Sequence, residues 1–207
     1  YIQDYIYASN WTELREIQVA ACHAVFDTQE NLLLSSGTAS GKTEAAFLPV
    51  LAQLYQHPAG SVGVLYISPL KALINDQFKR LDYLLAESNL PVCKWHGDAS
   101  LAEKNRLLKH PEGILQITPE SLESLLIHKR GACVKLFCDL RFIIIDEVHY
   151  FMRDVRGVQV LCLLERLQRL AGVVPRRIGL SATLGDLSVA QSWLNSGTGS
   201  SCIAPVC

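Results

Sequence analysis

The chain has 207 residues, of which 49% are hydrophobic and 19% charged, which is typical of a globular domain with a substantial core. Its net charge of −1 argues against a general polycation, so any contact with nucleic acid has to come from one local face. The seven cysteines include no C-x-x-C pair, which argues against a zinc site, and unpatterned thiols favour a reducing compartment. Without a signal peptide or a membrane-spanning apolar run, we expect a cytoplasmic protein with no membrane partner.

Short apolar runs alternate with amphipathic stretches along the chain. The apolar runs predict strands at 32–34, 62–67, 92–95, 114–117, 142–145 and 177–180. The stretches between them predict helices at about 43–56, 70–88, 100–109, 119–128, 157–170 and 186–195. Because the strand runs are apolar throughout, helices should cover both faces of the sheet. This order predicts a doubly wound, mostly parallel α/β domain over residues 1–195, with the start of a linker at 196–207.

The loop between the first strand and its helix contains Gly41-Lys42-Thr43. A strand, a loop of small residues and then this triplet at a helix start form a pattern that binds nucleoside triphosphates. Backbone N–H groups surround the phosphates, the lysine meets the terminal ones and the threonine hydroxyl meets magnesium. The full pattern has glycine at position 36, where this chain has Ser36. The alternative interpretation is a glycine-rich turn that caps a helix.

The remaining strands also end in polar residues. Because ligands of doubly wound sheets lie beyond the carboxyl ends of the strands, these residues should gather at one edge. They are Ser68-Pro69-Leu70-Lys71, His96-Gly97-Asp98, Thr118-Pro119-Glu120-Ser121, Asp146-Glu147-Val148-His149 and Ser181-Ala182-Thr183.

The acidic pair Asp146-Glu147 suits phosphoryl transfer. A carboxylate at a strand end can help to hold the magnesium ion that bridges the phosphates of ATP, usually through water. We assign that role to Asp146, and we expect Glu147 to orient or deprotonate the attacking water. The alternative is an acidic pair that caps the next helix.

These motifs resemble those of superfamily 2 helicases. Asp146-Glu147-Val148-His149 resembles the D-E-x-H box, Ser181-Ala182-Thr183 the S-A-T motif, and the phosphate loop A-x-T-G-S-G-K-T. The stretches after Ile67 and Ile117 are similar to motifs Ia and Ib. The match runs in order from Trp11 to about Leu194, and its wording is nearest to that of the large helicase-related (Lhr-like) group. The resemblance implies the first RecA-like, ATP-binding domain of a DExH-box helicase, with the second RecA-like domain outside this chain.

The resemblance also implies individual roles around the nucleotide. Lys42, Asp146, Glu147 and His149 would be catalytic, and Thr43 and Asp146 would hold Mg²⁺, partly through water. The implied ATP-binding residues are Gln18, Thr38, Ala39, Ser40, Gly41, Lys42 and Thr43. Two residues depart from the family pattern, since Ser36 replaces alanine and Ala39 replaces glycine. Both are small, so a loop that wraps phosphate with its backbone can survive if Ala39 needs no positive φ.

Gln18 would meet adenine, because its amide offers both a donor and an acceptor. The alternative is an ordinary polar residue on an amphipathic helix. His149 would relay the state of the nucleotide to Ser181 and Thr183. The alternatives here are a structural histidine and a plain helix cap.

The nucleic-acid face is predicted from two helix starts. Thr118 followed by Pro119 is a good cap with proline at the first helical position, and Ser68-Pro69 repeats the pattern. Helix starts aim N–H groups at a passing phosphate, so two of them form a track for a single strand. The alternatives are plain caps and a solvated Lys71. The predicted nucleic-acid contacts are Ser68, Pro69, Lys71, Gly97, Thr118, Pro119 and Ser121.

Three functional hypotheses follow. The first is the motor domain of an ATP-driven helicase or translocase on single-stranded DNA or RNA, with ATP and Mg²⁺ as cofactors. Its activity would need arginine fingers from the second RecA-like domain, so this chain alone should have little or no activity. The second is a P-loop ATPase that acts on protein or small-molecule cargo without nucleic acid. The third is a non-catalytic binding module with a relic loop.

Overall fold

The computed structural model describes residues 2–8, 10–37, 40–70, 84–86, 88, 90–97, 99–152 and 154–205. Within these residues, seven parallel strands form one sheet in the order β3-β4-β2-β5-β6-β1-β7. Their bounds are β1 Asn31–Ser35, β2 Val62–Ile67, β3 Val92–Trp95, β4 Gly113–Ile117, β5 Phe142–Ile145, β6 Arg176–Ser181 and β7 Cys202–Ile203. The parallel α/β prediction is confirmed, and the first six strands lie within one residue of their predicted bounds.

The helices of the described residues are α1 Ile2–Ala8, α2 Glu16–Asp27, α3 Lys42–Gln56, α4 Leu101–Lys109, α5 Pro119–His128, α6 Arg130–Phe137, α7 Val148–Phe151, α8 Val155–Ala171 and α9 Leu187–Asn195. The sequence pattern predicted α3, α4, α5, α8 and α9 to within two residues. The helix predicted at 70–88 falls mostly outside the described residues. The pattern missed α1, α2, α6 and α7. The first, third and fourth of these have eight residues or fewer and carry too few turns to show a period. In α2, apolar residues also occupy the exposed side, at Val19 and Phe26, which hides the period.

Apolar side chains project from both faces of the sheet and form a core on each. On one face Leu32, Leu34 and Tyr66 pack in a core with α2 and α3. On the other face Leu33 and Leu65 belong to a second core with α5, α6 and α8. Alternate residues of each strand point to opposite faces, which explains why the central strands are apolar at every position.

The strand register brings the predicted site residues to one edge. Ser35 lies opposite Ser181, and Ile67 lies opposite both Ile117 and Ile145. Each of these residues ends its strand. The segments that follow β1, β2, β4, β5 and β6 therefore leave the sheet side by side.

The segment after α9 also joins the sheet. The backbone N–H of Asn31 donates to the Ser201 carbonyl at 2.9 Å, and β7 pairs with the start of β1. The side-chain amide of Asn31 donates to Asn195 Oδ1 at 2.8 Å and to Thr198 Oγ1 at 3.2 Å. Asn31 thus helps to anchor the turn that we predicted as the start of a linker, together with Arg177, which donates to the Ser196 carbonyl at 2.8 Å. An interdomain role for this segment remains a prediction.

No helix in the described ranges is long and apolar enough to cross a bilayer.

Candidate nucleotide and nucleic-acid site

The phosphate loop turns into α3 at Gly41. This residue has φ of 85° and ψ of 24°, the left-handed region that favours glycine. A Cβ at this position would lie 2.8 Å from Gln18 Nε2, so glycine is needed for space as well. The first hydrogen bond of α3 runs from the Ala45 N–H to the Gly41 carbonyl at 2.8 Å, which leaves the helix N-terminus open toward the loop. The predicted ATP contacts of Thr38 and Ala39 lie outside the described residues.

Lys42 folds back over this loop. Its Nζ donates to the carbonyls of Ser36 at 2.6 Å and Gly37 at 2.7 Å. Partial burial lowers the pKa of Lys42, while the nearby charges of Glu147 and Asp146 oppose that shift. The substituted residue Ser36 also has a partner, since its hydroxyl hydrogen-bonds the hydroxyl of Ser40 across the loop. The family's alanine could not make this bond.

Asp146 is a buried carboxylate with two hydrogen bonds. The residue is 3% exposed to solvent. Tyr66 Oη donates to Oδ2 at 2.6 Å, and the Glu147 backbone N–H donates to Oδ1 at 3.0 Å. Burial raises the pKa of Asp146 to about 6, and the hydrogen bond from Tyr66 partly offsets this shift. The pKa of Tyr66 is raised well above its usual value, first by burial and then by the charge of Asp146.

Tyr66 is a site residue that sequence reasoning missed. It lies within the apolar strand β2, next to β5, and its ring packs 5.8 Å from that of Phe47 on α3. A buried tyrosine hydroxyl nearly always finds a hydrogen-bond partner, so a tyrosine in an otherwise apolar strand was the available signal.

Glu147 adopts an unusual backbone conformation. Its φ of 50° and ψ of 50° lie in the left-handed region, which is uncommon for a residue with a side chain. The turn lets β5 end and α7 begin within two residues, and it directs the Glu147 carboxylate toward His149. Strained backbone of this kind concentrates at functional sites.

His149 connects the acidic pair to β6. Its Nδ1 lies 3.2 Å from Ser181 Oγ and 3.2 Å from Glu147 Oε2. Ser181 is fully buried, whereas Thr183 is exposed and makes no hydrogen bond to His149 in the described part of the chain. The predicted link from His149 to Ser181 is therefore present as a contact, and the link to Thr183 is not.

The phosphate loop is tied to the same strand end. The Ser36 N–H donates to the Ser181 carbonyl at 3.4 Å, and Ser35 Oγ donates to the Ala182 carbonyl at 3.1 Å. Together with the His149 contact, these bonds make the end of β6 a physical connection between the two halves of the nucleotide site.

Gln18 reaches the phosphate loop from α2. The residue is fully buried, and its Oε1 accepts a hydrogen bond from the Arg15 backbone N–H at 3.0 Å. Its Nε2 lies beside Gly41 and has no hydrogen-bond partner among the described residues. A buried amide donor without a partner is costly, so this atom is well suited to meet a ligand.

The predicted nucleic-acid residues that the structure describes lie at the start of α5 or in the segments after β2 and β3. Thr118 caps α5, with its Oγ1 accepting from the Ser121 N–H at 3.4 Å, and Pro119 is the first helical residue. Ser68 is buried, and its N–H donates to the Ile117 carbonyl at 3.2 Å, so the two predicted starts are adjacent. Gly97 is exposed in the turn after β3. Lys71 lies outside the described residues.

A model of the DEAD/DEAH box helicase family matches residues 15–191 of the chain. The chain belongs to this helicase family. The helicase domain is 38% identical to the ATP-dependent helicase Lhr-Core of Methanothermobacter thermautotrophicus over 190 residues, which cover 83% of the chain and 22% of that relative. The domain thus spans about a fifth of the length of this curated relative.

Solved helicase structures share the fold. The helicase Lhr of Mycobacterium smegmatis, bound to single-stranded DNA and AMP-PNP, is 30% identical with a TM-score of 0.80, over 97% of this chain and 27% of that one. The DUF1998 helicase MrfA bound to DNA is 30% identical with a TM-score of 0.84, over 98% of this chain and 28% of that one. The predicted RecA-like fold and the predicted helicase relationship are confirmed.

Proposed function

We propose that this helicase domain is an ATP-binding motor that couples ATP hydrolysis to movement on single-stranded DNA or RNA. The observation that carries the proposal is the end of β6, which joins the phosphate loop to the D-E-x-H box. The Ser181 carbonyl accepts from the Ser36 N–H at 3.4 Å, and Ser181 Oγ lies 3.2 Å from His149 Nδ1. The connection holds an ammonium at a helix start and an acidic pair in one site, which is the arrangement that phosphoryl transfer requires, and the charges of the two acids oppose the lowering of the pKa of Lys42.

The residues fit a magnesium nucleotide. Among the described residues no group of three or more histidine, cysteine or acidic side chains could hold a metal ion alone. Mg²⁺ in ATP sites is held by one or two protein oxygens together with phosphates, so the oxygens of Thr43 and Asp146 are sufficient. A bound Mg²⁺ would neutralise part of the charge of the phosphates. The buried, partly compensated carboxylate of Asp146 gains from any nearby cation.

The geometry of the protein groups supports the following roles. Lys42 exchanges its bonds to the loop carbonyls for bonds to the terminal phosphates. Glu147 orients or deprotonates the attacking water, and His149 relays the change to Ser181 through its Nδ1. Gln18 offers the spare Nε2 donor to the nucleotide, in the role of an adenine contact. Arginine fingers come from a second RecA-like domain, as in other nucleoside triphosphatases that complete their site in trans.

The nucleic-acid track runs along the ends of β2 and β4. The start of α5 at Thr118-Pro119 and the adjacent Ser68-Pro69 segment contact the backbone phosphates, with Lys71 and Gly97 as further contacts. The solved Lhr and MrfA relatives are bound to DNA, which supports this assignment over cargo transport without nucleic acid.

The described cysteines carry free thiols, which supports a location in the reducing cytoplasm.

The test is ATP hydrolysis by the full-length protein with and without single-stranded oligonucleotides. We expect DNA or RNA to raise kcat, and Lys42→Ala to lower the stimulated rate by about 100- to 1,000-fold. Lys135→Ala is the matched control, because Lys135 is exposed on α6 and contacts only the end of α4 among the partners described, the Lys109 carbonyl at 3.5 Å. If neither nucleic acid stimulates hydrolysis, the proposed function is wrong.

A further inference from the structure

Arg156, on the first turn of α8, joins the two parts of the proposed track, which are the segment after β2 and the start of α5. Its Nη2 donates to the Pro69 carbonyl at 2.7 Å, in the segment after β2. Its Nε donates to Glu120 Oε1 at 2.9 Å, and Nη2 lies 2.6 Å from the same oxygen, on the first turn of α5. One guanidinium therefore bridges two segments that are separated by 50 residues of sequence.

The position of Arg156 is set by close packing behind it. The next residue is Gly157, where a Cβ would lie 1.8 Å from the Phe151 carbonyl, so only glycine lets α8 approach α7 this closely. The guanidinium carbon of Arg156 lies 5.9 Å from the centre of the Phe151 ring, which itself stacks on Trp193 at 6.1 Å. This packing holds the backbone at Arg156 in place, a few residues after the D-E-x-H box.

The charge of Glu120 makes this contact consequential. Its carboxylate stands in the first turn of α5, where the proposed function places a phosphate of the nucleic acid. An unpaired carboxylate there would repel that phosphate. Two nitrogens of the guanidinium meet one oxygen of the acid, which neutralises it and holds it in place, and a lysine ammonium cannot do this while also reaching Pro69.

We propose that Arg156 is a positioning residue for the nucleic-acid track: it sets the spacing between the segment at Pro69 and the start of α5 at Pro119, and it neutralises Glu120. This inference rests on the proposed function, and it adds a residue that contacts neither the nucleotide loop nor the acidic pair in the described structure. Its effect is on affinity for nucleic acid and not on the chemistry of ATP.

Gln159 provides a matched control one turn along the same helix. Its Nε2 donates to Glu123 Oε2 at 2.8 Å, so it also ties α8 to α5. Within the described residues it makes no hydrogen bond to the segment after β2. A role that depended only on α5–α8 packing would affect Gln159→Ala and Arg156→Ala alike.

The experiment uses the full-length protein and a single-stranded oligothymidylate. Stimulated ATP hydrolysis is measured against oligonucleotide concentration, with direct binding followed by fluorescence anisotropy. We expect Arg156→Ala to raise the concentration for half-maximal stimulation about tenfold, and Arg156→Lys to recover only part of the loss. The KM for ATP and the rate without oligonucleotide should stay within about twofold of the parent, as should every parameter of Gln159→Ala.

A second variant separates spacing from charge. In the Arg156→Ala background, Glu120→Gln should recover part of the affinity because it removes the unpaired acid. If Arg156→Ala fails to fold, as judged by its unfolding transition, Arg156→Lys should bind the oligonucleotide more weakly than the parent and Glu120→Gln should keep or tighten binding, and the inference is overturned if Arg156→Lys binds like the parent.

The outcomes are distinct. If the parent protein neither binds nor responds to single strands, the proposed function fails and this inference falls with it. If the parent responds but Arg156→Ala matches Gln159→Ala, only the inference is overturned. It is likewise overturned if Arg156→Ala lowers the rate without oligonucleotide as much as the stimulated rate.

Discussion

The electrostatics of the nucleotide site centre on one residue, Asp146, which carries its carboxyl group into the protein interior. Burial disfavours the charged form and raises its pKa to about 6, while the hydrogen bonds from Tyr66 and from the backbone of Glu147 favour the charge. The residue is therefore held charged at neutral pH at a cost to the stability of the chain. A bound cation would remove part of that cost.

This cost predicts the effect of Asp146→Asn on stability. Because the folded-state pKa lies above the usual 3.8, the folded chain holds this proton over a range where the unfolded chain has lost it. The contribution of protonated Asp146 to the free energy of unfolding is complete below pH 4 and is lost as the pH rises through about 6. The asparagine amide cannot ionise, which contributes up to about 3 kcal/mol at pH 7.5, but it keeps only one of the two acceptor oxygens, so we expect a net stabilisation of about 1–2 kcal/mol.

The measurement is urea unfolding of the 207-residue chain without Mg²⁺ or nucleotide, at pH 5 and pH 7.5. The gain should be clearly larger at pH 7.5. A gain that is the same at both values would show that the charge of Asp146 is not its source.

At the scale of elements, the position of the helix α2 depends on an arginine at the start of a strand. The last carbonyls of a helix have no partners inside it. Arg176, at the start of β6, donates to the carbonyls of Ala24 at 2.9 Å, Val25 at 3.1 Å and Thr28 at 2.9 Å. Since α2 carries Gln18 at its other end, Arg176 fixes the helix that brings this glutamine to the phosphate loop.

We therefore expect Arg176→Ala to lower the free energy of unfolding by roughly 2–4 kcal/mol, because it removes the hydrogen bonds of one guanidinium to the end of α2 and leaves the Thr28 and Glu30 carbonyls with no other donor in the described structure. Urea unfolding of the chain measures this loss. Arg169→Ala is the control, since Arg169 forms an exposed pair with Glu165 at 2.8 Å and should change stability little. Equal losses in the two variants would contradict the role of Arg176 as a helix cap.

At the scale of the whole molecule, the parallel sheet places the nucleotide residues and the proposed nucleic-acid track on one edge. β5 carries Asp146 and lies between β6, with Ser181, and β2, with Ser68. The proposed nucleotide site and the nucleic-acid track therefore lie at the ends of neighbouring strands. The groups that complete catalysis are expected from a second RecA-like domain closing over this edge.

This arrangement predicts that the 207-residue chain alone hydrolyses ATP slowly. Arginine fingers contribute about 1,000-fold or more to kcat in comparable enzymes, so we expect the isolated chain to fall below the full-length protein by a factor of that order. Steady-state hydrolysis with saturating oligonucleotide measures both. Comparable rates per molecule would rule out a catalytic contribution from outside the chain.

Much of the site could be predicted because its signals are local in sequence. Gly41, Lys42 and Thr43 are consecutive, and Asp146 follows an apolar strand directly, so spacing along the chain was enough to assign their chemistry. The first six strands were equally visible, because burial on both faces requires apolar residues at every position.

The order of the strands decided the rest. Tyr66 meets Asp146 only because β2 lies beside β5, and Arg156 reaches Pro69 only because α8 packs across the end of β2. Gln18 touches Gly41, and His149 touches Ser181, by contacts that no periodicity encodes. The sequence by itself determined the strands and the chemical groups of this protein, since those depend on neighbours along the chain. Its tertiary structure alone determined which groups pair, because hydrogen bonds and charges act through space.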